Sequence, residues 1–354
     1  MATAVIFGAG VMGSATSFPL SDKGHSVRLV GTHLDGEIIG EVKARGYHPG
    51  LKKNLPAEVK AFQWTELDKA FHGADFILSG VNSHGVRWSA ETLAKVLHKP
   101  LPIIAVTKGL EAAENGDLLA LTTVYEKALA TAGGPGCSVS AIGGPCIAAE
   151  LAARGHSCVV FASEKGEISR WLADIFRTSY YHVWPSTEVY PLEIAAALKN
   201  AYTLPVGIAR GQADQPGGED SSGARMHNPA AAVFGQGVKE IKYLIRSCGF
   251  NDSFASSLPG AGDYYVTCAG GRNLRLGTLL GSGKSMAEAQ KEMEGVTIES
   301  LSIIETMERA LPGLLERQIV AMDRLPLLDY LIRTVREGSA GPLPFERFFP
   351  EIHF

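Results

Sequence analysis

Lys199, Asp263, Thr267, Arg272 and Asn273 have the side-chain types needed to move a proton and grip an anion. Lys199 is the one cation on an Ala- and Leu-rich stretch from Pro191 to Asn200, four residues after Ala195 and next to the Asn200 amide. On so strong a helix former it either snorkels to water or is held in a cleft between domains. Asp263, Thr267, Arg272 and Asn273 supply an acceptor, a hydroxyl, a guanidinium and an amide within a glycine-flanked stretch, 260–273. That stretch is either a glycine-rich helix connection with an exposed arginine, or a place where Arg272 grips an oxyanion bidentately, most naturally a phosphate.

A second constellation lies at the start of the chain. The apolar run Ala4–Phe7 leads into Gly8-Ala9-Gly10-Val11-Met12-Gly13 and then a helical pattern to about Lys23. In a strand–turn–helix context Gly8 permits the turn, Gly10 admits a pyrophosphate against bare backbone, and Gly13 lets helix and strand pack closely. Pro19 removes a helix hydrogen bond and is expected to kink or shorten this helix. After the next strand, Ser26–Val30, the acidic residue that reads a ribose 2′-hydroxyl is missing, and Asp35 falls too late in the chain. Thr32 and His33 stand there instead and offer donors to a 2′-phosphate, so NAD and NADP both stay open, with a lean to NADP.

These groups need elements to carry them. Asp75–Val81, Pro102–Thr107, Ser138–Ile142, Cys158–Ala162 and Tyr180–Trp184 read as buried strands, with helices between them, one near Glu167–Arg177. Such a pattern predicts an α/β fold with a doubly wound parallel sheet covered on both faces. Ligands gather outside the carboxyl ends of such strands, where Asn82, Ser83, His84, Lys108 and Gly144 fall. Pro185 breaks the pattern and a domain boundary is expected near Val189, giving a nucleotide domain over 1–189 and an all-α domain over 190–354. Helical spacing covers 192–210, 229–247, 285–293, 297–310 and 313–334. The polar segment 212–227 reads as a loop or lid, and the aromatic tail 338–354 as a segment docked on the body or on a neighbouring subunit.

Composition narrows the function classes. With 354 residues, 45% of them hydrophobic, the chain has material for two cores. A formal net charge of −4 argues against a nucleic-acid or anionic-membrane surface, and no run approaches the ~18 apolar residues of a membrane span. The chain starts with no basic region or cleavage site of a secretory signal, and five cysteines without Cys-x-x-Cys spacing fit reduced thiols, so a cytoplasmic location is expected. The 40 glycines cluster and are expected to serve tight loops.

The order of motifs resembles the NAD(P)-dependent glycerol-3-phosphate dehydrogenase family over most of the chain. The matching segments are 8–13, Val81-Asn82-Ser83-His84, Thr107-Lys108-Gly109-Leu110-Glu111, 144–150, 193–200, Gly262-Asp263 with Thr267-Cys268, Gly271-Arg272-Asn273 and Glu294-Gly295. The resemblance implies a Rossmann domain, an all-helical substrate domain of the 6-phosphogluconate-dehydrogenase C-terminal type, a cleft between them and a homodimer. It implies that Lys199 is the acid/base residue, that Lys108 lies near substrate and nicotinamide, and that Asp263 and Thr267 align the reacting end. Arg272 and Asn273 would hold the phosphate beside Asn200, with Arg272 and Glu294 also touching the cofactor. Gly144, Cys146 and Ala148 would line the junction of substrate and nicotinamide. Cys146 stands where the family usually has Ser or Thr, Ala230 where it is commonly basic, the insertion ending at Asn228 replaces a short loop, and the residues around Pro19 are atypical. These departures leave two alternatives: a same-fold dehydrogenase of another phosphorylated polyol, ketose or 2-hydroxy acid, and a nucleotide-binding regulator without turnover.

Overall fold

The computed structural model describes residues 1–214 and 227–348. The chain divides into two compact units, Met1–Lys108 with Ala120–Glu193, and Gly109–Leu119 with Ile194–Phe354. The division falls four residues beyond the expected Val189. It also assigns 109–119, expected in the nucleotide domain, to the second unit.

The first unit is built on eight strands: β1 (Thr3–Phe7), β2 (Ser26–Val30), β3 (Lys60–Phe62), β4 (Phe76–Ser79), β5 (Ile103–Ala105), β6 (Val139–Gly143), β7 (Ser157–Ala162) and β8 (Tyr181–Ser186). Their order is β8-β7-β6-β5-β4-β1-β2-β3. Strands β1 to β6 are mutually parallel, and the order turns back between β1 and β4, the switch point at which doubly wound sheets take ligands. The apolar run Ala4–Phe7 is fully buried because helices cover both faces of the sheet. Those helices are α1 (Val11–Ala15), α2 (Ser17–Asp22), α3 (Gly36–Arg45), α4 (Leu67–Phe71), α5 (Val86–Val96), α6 (Leu121–Thr131), α7 (Ala148–Ala152) and α8 (Gly166–Phe176).

One edge departs from the expected parallel sheet. Strand β7 runs antiparallel to β6, and β8 follows β7. Between β6 and β7 lies only the five-residue α7, which rises ~7.5 Å, too little to return the chain along a six-residue strand of ~20 Å. Pro19 acts as expected: the first helix divides at Thr16, and Pro19 sits in the first turn of α2, where its missing N–H costs nothing.

The second unit is helical: α9 (Val189–Ala213, which begins in the first unit), α10 (His227–Ser247), α11 (Asp263–Ala269), α12 (Arg272–Gly281), α13 (Met286–Glu292), α14 (Glu299–Glu316) and α15 (Pro326–Glu337). The expected break near residue 311 is absent, since Pro312 is carried inside α14 as Pro205 is inside α9. A short hairpin, Leu110–Ala112 with Leu118–Ala120, has its tip at Asn115–Gly116; the tip meets α14 at Gly313, where an added Cβ would lie 2.5 Å from Asn115 O, and Arg317 holds Asp117 at 2.7 Å. Glycines expected in loops also sit inside helices: Gly207 and Gly211 of α9 face Gly277 and Gly281 of α12 so closely that a Cβ at Gly211 would lie 2.2 Å from Thr278 O.

Segment 215–226, and with it most of the expected loop, lies outside the described residues. The tail as far as Phe348 docks on the second unit itself: Tyr330 donates to Gly341 O at 2.8 Å, Lys239 to Phe348 O at 2.8 Å, and Phe348 is buried. Among the described residues no helix is long and apolar enough to cross a membrane, and all five cysteines are free thiols.

Candidate functional site

In the second unit Lys199 does not snorkel. Its side chain is 6% exposed, and Nζ donates to Asp263 Oδ1 at 2.5 Å and to Thr267 Oγ1 at 2.8 Å. Thr267 gives its own hydroxyl hydrogen to Asp263 O at 2.7 Å, so its lone pair is turned toward the ammonium. Asp263 comes to this point because 260–273, read as a possible helix connection, is itself mostly helix. A π-helical turn, Leu258–Gly262, delivers Asp263 as the first residue of α11, four residues before Thr267 on the same face.

Arg272 and Asn273 open α12 after an extended Gly270 and a Gly271 at φ +107°, and no side chain caps that helix. Its first amides are therefore available to an anion. Asn273 is buried: Nδ2 donates to Asn200 Oδ1 at 3.2 Å, while Oδ1 accepts from Ser300 N at 3.1 Å. Arg272 is half exposed and paired with Glu299, a partner that sequence reasoning missed because nothing in the spacing of 272 and 299 signals it. Glu294 is exposed in the turn after α13.

In the first unit the glycine turn leaves β1 at the switch point. Gly8 takes φ +106°, and a Cβ there would lie 2.9 Å from Gly80 C. At Gly13 a Cβ would meet Gly8 O at 3.2 Å, which is the close helix–strand packing expected. Gly10 differs. Its φ is −66°, and an added Cβ would touch only Gly80 O, at 3.4 Å. No neighbour in the protein therefore demands a bare backbone at Gly10. Val11 and Met12 follow as the first residues of α1, with Val11 exposed.

Asp35, expected to fall too late, is brought back to the end of β2 by a turn in which Asp35 N bonds Thr32 O at 3.1 Å. Its Oδ2 accepts from Thr32 N and Thr32 Oγ1, both at 2.8 Å, and from Ala9 N at 3.1 Å. His33 is exposed and lies edge-on to Trp88, centroids 4.7 Å apart, and to Trp64 at 6.5 Å. The end of β2 thus carries an aromatic group that no local pattern announced.

Of the strand-end residues, Asn82 caps the turn Ser83–Gly85 by accepting from Gly85 N at 3.0 Å, so its carbonyl oxygen is in structural use. Gly144 takes φ +132°, and a Cβ would lie 2.6 Å from Cys158 O; its bareness serves the β6–β7 turn. Lys108 and Cys146 are half-buried, and Ala148 begins α7.

A glycine turn at the switch point of a 3-2-1-4-5-6 sheet, with a helical unit holding a buried lysine against a carboxylate, defines a nicotinamide-dependent dehydrogenase with a separate all-α substrate unit. Family models agree: residues 3–169 match the N-terminal domain, and 188–340 the C-terminal domain, of NAD-dependent glycerol-3-phosphate dehydrogenase. The chain is 34% identical over 333 residues to the NADP(+)-dependent glycerol-3-phosphate dehydrogenase of Archaeoglobus fulgidus, covering 94% of this chain and 95% of that one. A glycerol-3-phosphate dehydrogenase structure from Coxiella burnetii superposes with a TM-score of 0.77 at 25% identity, over 98% of this chain and 97% of that one. The yeast enzyme structure, at 20% identity and TM-score 0.79 over 98% of both chains, shares the fold. This chain belongs to the NAD(P)-dependent glycerol-3-phosphate dehydrogenase family.

Proposed function

We infer that this chain interconverts dihydroxyacetone phosphate and sn-glycerol 3-phosphate with NAD(P)H. The observation that carries the reading is the buried Lys199 ammonium held between Asp263 Oδ1 and Thr267 Oγ1. Bound nicotinamide supplies the hydride to the carbonyl carbon. Lys199 gives a proton to the carbonyl oxygen as charge develops there, and takes it back from the alcohol in the reverse direction. Asp263 and Thr267 fix the direction of the ammonium, so the proton is delivered from one point. Arg272, Asn273 with Asn200 and the uncapped amides of α12 receive the phosphate. In the first unit residues Gly8 to Gly13 take the pyrophosphate, Thr32 and His33 the ribose 2′ end, and Lys108, Gly144, Cys146 and Ala148 line the reacting groups; in the second, Glu294 touches the cofactor. NADP is the preferred dinucleotide in this reading, supported by the name of the Archaeoglobus relative and by the use of Asp35 Oδ2, at the end of β2, as acceptor for Thr32 and Ala9. A cytoplasmic homodimer completes it; the free thiols support a reducing compartment, and light scattering on the purified chain tests the dimer.

The deciding experiment is an activity matrix of NADH and NADPH against dihydroxyacetone phosphate and its unphosphorylated analogue, run on wild type, Lys199→Ala and Arg272→Ala. Lys199→Ala is expected to lose roughly 10²–10⁴-fold in turnover. Arg272→Ala is expected to raise KM for the phosphorylated ketone without a matching change for its analogue. Near-normal turnover in Lys199→Ala removes the acid/base role, and equal use of both ketones removes the phosphate site.

A further inference from the structure

Ala9 stands between Gly8 and Gly10, so the centre of the dinucleotide turn is flanked by the two residues that constrain a backbone least. Both of its backbone polar groups are nevertheless taken by side chains from far along the chain. Ala9 N donates to Asp35 Oδ2 at 3.1 Å, and Ala9 O meets His48 Nε2 at 2.9 Å. His48 is fully buried, on a short ribbon (Tyr47–His48 with Lys53–Asn54) whose tip abuts the turn: a Cβ at Gly50 would lie 2.8 Å from Val11 Cγ1. The hydrogen on the ring is fixed by its other contact. Leu51 N donates to Nδ1 at 3.1 Å, so Nδ1 is the acceptor and Nε2 carries the hydrogen that goes to Ala9 O. Both imidazole nitrogens are therefore occupied by backbone, and His48 has none left for a ligand. On the other side, Asp35 Oδ2 ties Ala9 to Thr32, joining the end of β1 to the end of β2.

We propose that His48 and Asp35 are positioning residues that hold the glycine turn in its dinucleotide-binding form before the cofactor arrives. The proposal rests on the reading of Gly8–Gly13 as the pyrophosphate turn. Ordering a glycine-rich backbone upon binding would subtract its conformational entropy from affinity; two anchors on Ala9 move that cost into folding. Because His48 acts on the turn and not on the 2′ end of the cofactor, NADH and NADPH should feel its loss alike; Asp35 also holds Thr32, so its loss should weaken both dinucleotides and NADPH somewhat more.

The test measures binding of NADH and NADPH by cofactor fluorescence, KM for both substrates, and melting curves, on the full chain and four variants: Gly10→Ala, His48→Phe, His48→Gln and Asp35→Ala. His48→Phe keeps a ring but strands Ala9 O, and should weaken both dinucleotides by about tenfold, leaving KM for dihydroxyacetone phosphate unmoved. His48→Gln, whose amide can donate to Ala9 O, should recover part of that loss. A folded His48→Phe or Asp35→Ala variant with wild-type affinity overturns the proposal for that residue. Loss confined to one of the two dinucleotides in Asp35→Ala overturns it as well, by making Asp35 a reader of the 2′ end. If Gly10→Ala binds both dinucleotides like wild type, the turn itself is not the site, and the failure lies with the underlying reading.

Discussion

At Gly277 of α12 an added Cβ would lie 2.1 Å from Leu204 O, and at Gly207 of α9 it would lie 2.3 Å from Leu274 O; at Gly10 it would meet nothing nearer than Gly80 O at 3.4 Å. The two helices thus touch backbone to backbone, whereas the turn keeps a bare position that no neighbour fills. Glycine at the crossing is demanded by the protein's own packing, and glycine at the turn, in the proposed function, by the pyrophosphate. The crossing also serves the site at one remove. It fixes α12, and therefore Arg272 and Asn273 at its start, against the helix that carries Lys199 and Asn200.

The largest effect should come from forcing the crossing apart. Gly277→Val is expected to cost about 3 kcal/mol or more, read by chemical denaturation, because neither backbone can yield. A cost under about 1 kcal/mol would mean that the helices can slide, and would end the contrast. Gly10→Ala should instead keep its melting temperature and lose about tenfold to a hundredfold in dinucleotide affinity. The same change at Gly46 isolates a third reason for glycine: φ is +70° and no atom lies within 4 Å of a Cβ. Gly46→Ala should cost about 1 kcal/mol in stability with affinity untouched, since only the left-handed helix end is at stake.

Buried carboxylates sharpen the comparison of the two units. Asp263 has an ammonium for a partner. Glu240 has none among the described residues; it accepts from Tyr202 OH, Gln236 Nε2 and the amides of Leu327 and Leu328, at 2.7–2.9 Å, at the start of α15. Glu193 likewise accepts from Thr122 at the start of α6. Burial pushes both glutamates up to about 7. An acid whose value is raised on folding holds its proton more tightly in the folded chain. Its stabilising contribution is full below the unfolded value of 4.5 and is lost as pH rises through about 7. Melting temperature should therefore rise between pH 8 and pH 5.5, and Glu240→Gln should flatten part of that slope. A slope unchanged by Glu240→Gln would show that other groups set it.

The strands, the glycine turn and the candidate residues of the second unit are legible in the sequence because each is local: an apolar run, a spacing of glycines, a helix turn. Direction is not local. Nothing within Cys158–Ala162 says that it runs against its neighbour; the length of the preceding link does. Ribbon strands of two or three residues, such as Tyr47–His48, are too short for alternation to register. The spacing 207/211 and 277/281 is visible, but glycines at those positions look the same whether they end a helix or let two helices meet. Distance along the chain places Asp35 too late, yet a single turn at Thr32 returns its carboxylate to the end of β2. Glu299, His48 and the tryptophans beside His33 act across 27 to 55 residues of chain, a range at which only packing pairs them.

The hairpin 109–119 belongs to the second unit although the chain then returns to the first for residues 120–193. It packs on α14, whose first residue, Glu299, comes 180 residues after Leu119. At about 5–20 residues per second of synthesis, that surface emerges roughly 10–40 s later. The ribbon therefore lacks its α14 partner until almost the whole chain has been made. Release of the chain before residue 299 leaves an aggregation-prone edge in place of a free-standing domain.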